Sequence, residues 1–242
     1  LAVWSRRSIA WMPSTDATYW KEILIRSWPI GLSIAFNLIY FKADTIILSF
    51  LKSPEIVGLY SAPYKILEVL ISFPPLFLGM VLPQWSAAMA QNDTKMFQKW
   101  MDWALSLSAM FTIPLVLGTL PLARDIMVFV AGADFAGSGV ILQILIIATG
   151  IIFMGNVFGY AIVAVGEQKR MIPFYCIAAI ISLFAYWKAI VNFGVEGAAW
   201  TTVVVEVFIL FSAVGVLKNR INTSITIQYL TKYIISGIIM FV

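Results

Sequence analysis

Histidine is absent from the 242 residues, and cysteine occurs once, at Cys176. Without histidine there is no imidazole acid or base, no His metal ligand and no His proton relay. A single cysteine supplies neither a disulfide framework nor a thiolate metal cluster. Cys176 lies in an apolar run and reads as a small core or lipid-facing residue. Charge is scarce as well, at 12% of residues, where an ordinary soluble domain carries about a quarter. What fills the chain is apolar: 61% hydrophobic residues and a mean hydropathy of +0.93. A soluble protein of this length has too much surface to hide such a composition. The chain is therefore expected in a lipid bilayer.

A helix needs about 20 mainly apolar residues to cross the hydrocarbon core. Six such stretches are read at 28–51, 66–82, 103–122, 140–165, 172–191 and 198–217, before a further apolar run, 234–242, that stops partway. The runs are unbroken rather than alternating, which argues against strands. Short connections carry turn chemistry: Lys52, Ser53 and Pro54; Gln91, Asn92 and Asp93; residues 132–139; Gly166 to Lys169; and Asn192, Phe193 and Gly194. None is long enough for a soluble domain. Residues 88–100 mix Met89, Met96, Phe97 and Trp100 with Asn92, Asp93, Lys95, Gln98 and Lys99, a pattern that predicts a short helix lying in the interface. Trp85, Trp100, Trp103, Tyr186 and Trp187 read as interface belts. Pro74 and Pro75, Pro114 and Pro173 each remove a backbone hydrogen bond and favour a kink, of the sort that transporters use as hinges and static bundles use for packing.

Orientation follows from lysine and arginine. One side collects Arg6, Arg7, Lys21, Arg26, Lys95, Lys99, Lys169, Arg170, Lys218 and Arg220, the other only Lys52, Lys65, Arg124 and Lys188. The first side is expected to be cytoplasmic, and an even number of crossings returns both ends of the unit to it. The formal charge of +4 reflects this asymmetry rather than a nucleic-acid partner. Leu1 in place of an initiating Met, and the apolar run at the other end, predict a piece of a longer protein. Arg6 and Arg7 are followed by polar Ser8, Ser14, Thr15 and Asp16, which is not the layout of a signal peptide.

Charged groups at membrane depth cost at least a few kcal/mol each and are functional candidates by default. The first span carries Asn37, Lys42 and Asp44. Counted from Trp28, Lys42 lies well past the midplane, about 21 Å along the axis. It can snorkel, pair with Asp44 or face a cavity. Two residues apart on a helix, Lys42 and Asp44 point about 200° from each other, so at least one needs a partner on another helix. Lys65 and Glu68 share a face at i and i+3, the spacing of an intrahelical ion pair, and Tyr60 and Tyr64 continue that neighbourhood. Glu206 lies mid-helix with no base in its own helix; it must be protonated, paired across helices or solvated by a cavity. Lys188 and Glu196 flank a short turn and read as solvated.

Several strings now stand together. Lys42-Ala43-Asp44, then Pro54-Glu55-Ile56-Val57-Gly58-Leu59-Tyr60-Ser61-Ala62, then Tyr64-Lys65-Ile66-Leu67-Glu68 resemble the "R/K-x-D … E-V-G-x-Y-S-A-A … E" stretch of the polysaccharide transporter family. That family includes Wzx-type O-antigen flippases and shares a superfamily with multidrug and toxin extrusion (MATE) transporters. Further similar strings follow in order: Val81-Leu82-Pro83-Gln84-Trp85-Ser86, Gly132-Ala133-Asp134-Phe135, Leu142 to Leu145, Gly166-Glu167-Gln168-Lys169, and Asn192-Phe193-Gly194-Val195-Glu196-Gly197 leading to Glu206. The likeness covers about residues 24–217. Pro63 stands where the family often has a second Ala, and Lys42 where it often has Arg, so bidentate phosphate binding is lost there.

The resemblance implies an all-α, polytopic membrane protein of twelve or fourteen helices, in two six-helix lobes facing each other across a V-shaped cavity. Residues 1–23 would be the cytoplasmic connection from a first lobe upstream, 24–217 the six-helix C-terminal lobe, and 218–242 a cytoplasmic loop and the start of a further helix. It further implies a non-enzymatic flippase of the bacterial inner membrane, working by alternating access on an undecaprenyl-pyrophosphate-linked O-antigen, capsule or exopolysaccharide unit. Carried over by position, Lys42, Asp44 and Glu68 lie near the cavity; Asn37, Tyr60, Tyr64 and Lys65 complete the candidate set, and Glu206 is the candidate for coupling to sodium or protons. No other cofactor is expected. Lipid-linked oligosaccharide and bilayer are the expected partners, with a polysaccharide polymerase and chain-length regulator of the same pathway also admitted. A cation-coupled drug exporter would favour acidic and aromatic groups over a cavity lysine. A polymerase or ligase would need a large outer loop with catalytic groups, and the outer loops here are short.

Overall fold

The computed structural model describes residues 17–221. The expected truncated helix at 234–242, most of the connection at 1–23, and Arg6 and Arg7 lie outside the described residues. Among these, all regular structure is helical: α1 (Ala17–Leu51), α2 (Pro54–Leu70), α3 (Phe73–Ala90), α4 (Thr94–Ala131), α5 (Gly139–Ala164) and α6 (Ile172–Arg220), with 3₁₀ turns at Ala133–Ser138 and Gln168–Met171. The expected all-α polytopic class is what the chain forms.

Six passes result from these six helices by an unexpected division. Helices α2 and α3 make one apolar pass, Pro54–Ala90, broken at Ile71 and Ser72 just before Pro74 and Pro75. Those prolines occupy the first turn of α3, where a missing N–H costs nothing. Helix α6 supplies two passes, because Gly194 has φ +63° and ψ −142° inside it and reverses the chain. The Tyr186 and Thr202 hydroxyls, sixteen residues apart, lie within 3.1 Å, whereas a straight helix would hold them about 24 Å apart. The return is tight: a Cβ on Gly197 would lie 2.4 Å from the Ala189 carbonyl oxygen. Residues 172–193 and 195–220 are thus two packed arms.

Helix α5 is the hub. It is the most apolar and the most deeply buried of the spans, whereas α1 keeps most of its apolar surface exposed. It packs on α2, α3, α4 and α6, while α1 lies mainly against α6. Glycines set the α4–α5 approach: a Cβ on Gly139 would stand 2.9 Å from Arg124 Cα, and one on Gly150 would touch Val116 and Thr112. Without a hydrophobic drive between helices in lipid, such close backbones gain their attraction from packing. Gln143 Nε2 adds a hydrogen bond to the Leu120 carbonyl at 2.7 Å.

Three readings of the sequence are corrected. No separate interfacial helix forms at 88–100: Asp93 caps α4 by accepting from Met96 N at 2.9 Å, Asn92 takes φ +55°, and the helix runs on unbroken into the membrane. Phe97 points inward because α3 crosses there, its ring 6.1 Å from that of Trp85. Trp85 and Tyr186 are core residues, at 0% and 1% exposure, rather than interface anchors; Trp103 and Trp187 remain exposed. Pro173 sits in the first turn of α6 and kinks nothing.

Candidate functional site

Helix α1 presents two faces with different chemistry. Lys42 lies within its apolar span, which includes Gly31–Leu51. Lys42 and Asp44, pointing apart as helical geometry demands, each find a partner on another helix. Neither pairs with the other.

On the outer face Lys42 Nζ is ion-paired with Glu68 Oε1 of α2. Lys65 Nζ reaches the other oxygen of Glu68 at 2.8 Å, the i and i+3 pair expected. Two ammonium groups therefore share one carboxylate, and the cluster keeps one positive charge in excess. Its groups stay accessible: side-chain exposure is 39% for Lys42, 23% for Glu68 and 77% for Lys65. Lys42 also lies 5.2 Å from the Tyr64 ring centroid and 5.8 Å from that of Phe41, a placement that holds an ammonium by ring electrostatics. Tyr64 in turn donates its hydroxyl proton to the Phe41 carbonyl.

Beneath that surface Asp44 is fully buried. Tyr60 Oη donates to Asp44 Oδ2 at 2.6 Å, and Thr45 N and Oγ1 donate to Oδ1 at 2.6 and 3.2 Å. Tyr60 and Tyr64 are buried as well, within a cluster that includes Leu48, Leu145 and Ala148. Of the candidates near Lys42, then, Lys65 and Glu68 share its surface, while Asp44, Tyr60 and Tyr64 support it from behind.

Asn37 and Glu206 belong to a second place. Asn37 Nδ2 donates to Tyr40 Oη at 2.7 Å, and Tyr40 and the Glu206 carboxyl face the same cavity. Glu206 is 6% exposed and borders a cavity of about 200 Å³ between α1, α5 and α6, where Asn37, Asn156 and Tyr175 supply polar groups. Of the outcomes open to Glu206, a partner across helices and a cavity are both present. Tyr40, Asn156 and Tyr175 were not singled out in the sequence. An asparagine between two glycines' turns in the most apolar helix, Asn156 after Gly155, is the signal that could have found the site.

Residues 9–89 match the family described as polysaccharide biosynthesis protein. A probable low-salt glycan biosynthesis flippase, Agl15 of Haloferax volcanii, is 20% identical over 195 residues, covering 81% of this chain and 39% of the relative. The fold is similar to an outward-facing multidrug resistance MATE family transporter of the MOP superfamily, with a TM-score of 0.68 and 19% identity over 89% of this chain and 51% of that one. The chain thus spans about half the length, or less, of the proteins it matches. These likenesses bear out the resemblance read from the Lys42 and Tyr60 strings, and the chain has a MATE-like, multi-pass helical fold.

Proposed function

We propose, from the premise of a polysaccharide-transporter lobe, that this chain is half of a flippase carrying a lipid-linked oligosaccharide across a membrane by alternating access. The finer reading is an undecaprenyl-pyrophosphate-linked repeat unit at a bacterial inner membrane, with this chain as the C-terminal lobe and its lysine-rich side cytoplasmic. The observation that carries it is the Lys42–Glu68–Lys65 cluster, exposed within the apolar spans with one positive charge to spare. Such groups are costly against lipid, so the surface that bears them borders water or an opposing polar surface. A glycan with a pyrophosphate needs such a path, because its hydration must be replaced on the way, while its lipid tail can stay in the bilayer. No bond is broken, and none of these residues is asked to act as a nucleophile. Glu206 is assigned the coupling to a sodium or proton gradient.

The test uses the full-length protein in vesicles with a fluorescent lipid-linked oligosaccharide. Lys42→Ala should lower flipping and Lys42→Arg retain it, since an ammonium attracts phosphate as a point charge. The double change Lys42→Ala with Glu68→Ala decides the role. Flipping restored to the unmodified rate would reduce Lys42 to a neutraliser of Glu68 and overturn the headgroup assignment. Cysteines at Gln168 and Ser53 test the sidedness with an impermeant reagent on intact cells, Ser53 alone being the expected site of labelling.

A further inference from the structure

The Glu206 cavity does not stand alone. A second cavity, of about 260 Å³, shares Asn37, Asn156, Gly159 and Tyr175 with it as lining residues. That second cavity continues past Ser33 and Tyr160 to Gln168, in the 3₁₀ turn between α5 and α6. The two together form one track along the seam of α1, α5 and α6. Its polar groups recur at intervals from Gln168 through Asn156, Tyr175 and Asn37 to Glu206. Glycine makes the room: a Cβ on Gly155 or on Gly159 would meet nothing within 4 Å, although both lie in the most buried helix. Elsewhere in α5, Gly139 and Gly150 are filled to contact by α4. The α5 glycines therefore divide by face, those toward α4 closing a packing contact and those toward α1 and α6 leaving it open. Cavities of this volume with several polar groups in their walls have room for water and partners for it.

We propose that Glu206 is reached by water and a small monovalent cation, proton or alkali ion, from the Gln168 side, through this track inside the lobe. Lys42, Lys65 and Glu68 are not among the residues that line it. The proposal rests on the coupling role given to Glu206, and adds to it a route and a side. Substrate and coupling ion then need not share an entrance. Asn156 and Tyr175 position water along the track, and Gly159, which lines both cavities, keeps the passage between them clear of a bulky side chain.

The test is thiol accessibility in the full-length protein, with Cys176→Ser as background. Gly155→Cys places a thiol at the Glu206 end, and a small cationic methanethiosulfonate is applied from each side of sealed vesicles. Labelling needs a hydrated thiolate, so Gly155→Cys should react from the Gln168 side about tenfold faster than Val204→Cys, which is 65% exposed on the apolar surface of the Glu206 arm. Adding Gly159→Leu should return the rate to the Val204→Cys level. Gly159→Val, a smaller plug, covers the event that the leucine variant fails to elute as a folded peak. Labelling of Gly155→Cys from the opposite side only, from neither side, or undiminished by either plug overturns the route. Sodium that slows labelling in the presence of Glu206, and not after Glu206→Gln, marks the alkali ion as the traveller; indifference to sodium marks the proton. If labelling follows the expected pattern while Glu206→Gln keeps full gradient-dependent flipping, the route stands and the coupling role alone falls.

Discussion

Two acidic sites at membrane depth are built on opposite terms. Glu68 is answered by two lysines on an accessible surface, whereas Glu206 is buried and faces the neutral Tyr40 hydroxyl. Where the medium is water, full charges can be left standing because solvent shares in stabilising them. Where it is packed helix, an acid with only a neutral partner is held most cheaply with its own proton or a bound cation. The first arrangement keeps a constant charge through a cycle. The second is able to change its charge, which is what a coupling group needs.

The largest expected effect comes from inverting the first site. Lys42→Glu would set two carboxylates face to face where a pair now stands, and flipping in vesicles should fall by at least about tenfold, the equivalent of 1.4 kcal/mol. Normal flipping in that variant would erase the distinction between the sites. Next is Glu206→Gln, which keeps shape and removes the variable charge. Gradient-driven flipping should drop to the rate seen without a gradient, while thermal unfolding in detergent stays level or rises, because an amide is cheaper to bury than a carboxylate. Tyr60→Phe probes Asp44, the intermediate case, buried yet held by three donors. Losing one of them should destabilise the lobe by about 1–3 kcal/mol, readable as a lower unfolding midpoint. Smallest is Lys65→Ala: at 77% exposure its pair with Glu68 is worth under about 1 kcal/mol, so stability should barely move. A drop in unfolding midpoint as large as that of Tyr60→Phe would mean the outer site is not solvated at all.

Much of this was legible in the sequence, since a span is read from length and apolarity alone. The 200° separation of Lys42 and Asp44 already required a partner on another helix, and the structure supplies one for each. Faces were harder. Residue type puts Trp85 and Tyr186 at the interface, but type does not say which side of a helix meets a neighbour. Residues 88–100 misled because amphipathicity is the same whether the apolar face meets lipid or, as Phe97 does, another helix. The Tyr40 partner of Glu206 lies 166 positions away, and no local pattern reports a contact between α1 and α6. Gly194 reads as a turn residue and is one, its φ of +63° and ψ of −142° breaking the helical backbone between the two arms.

That reversal at Gly194 bears on biogenesis. The only polar side chains near the bend are those of Lys188, Asn192 and Glu196, all exposed, and the arms touch at Ala189 and Gly197 from the first turn onward. Glu206 alone would burden the second arm with a carboxyl in hydrocarbon during insertion. Delivered together with the first, it travels beside Thr202 and Tyr186, already inside a helical hairpin. The two arms are thus suited to leave the translocation machinery as one unit, and α1, made earlier on the ribosome, is waiting with Tyr40 when they arrive.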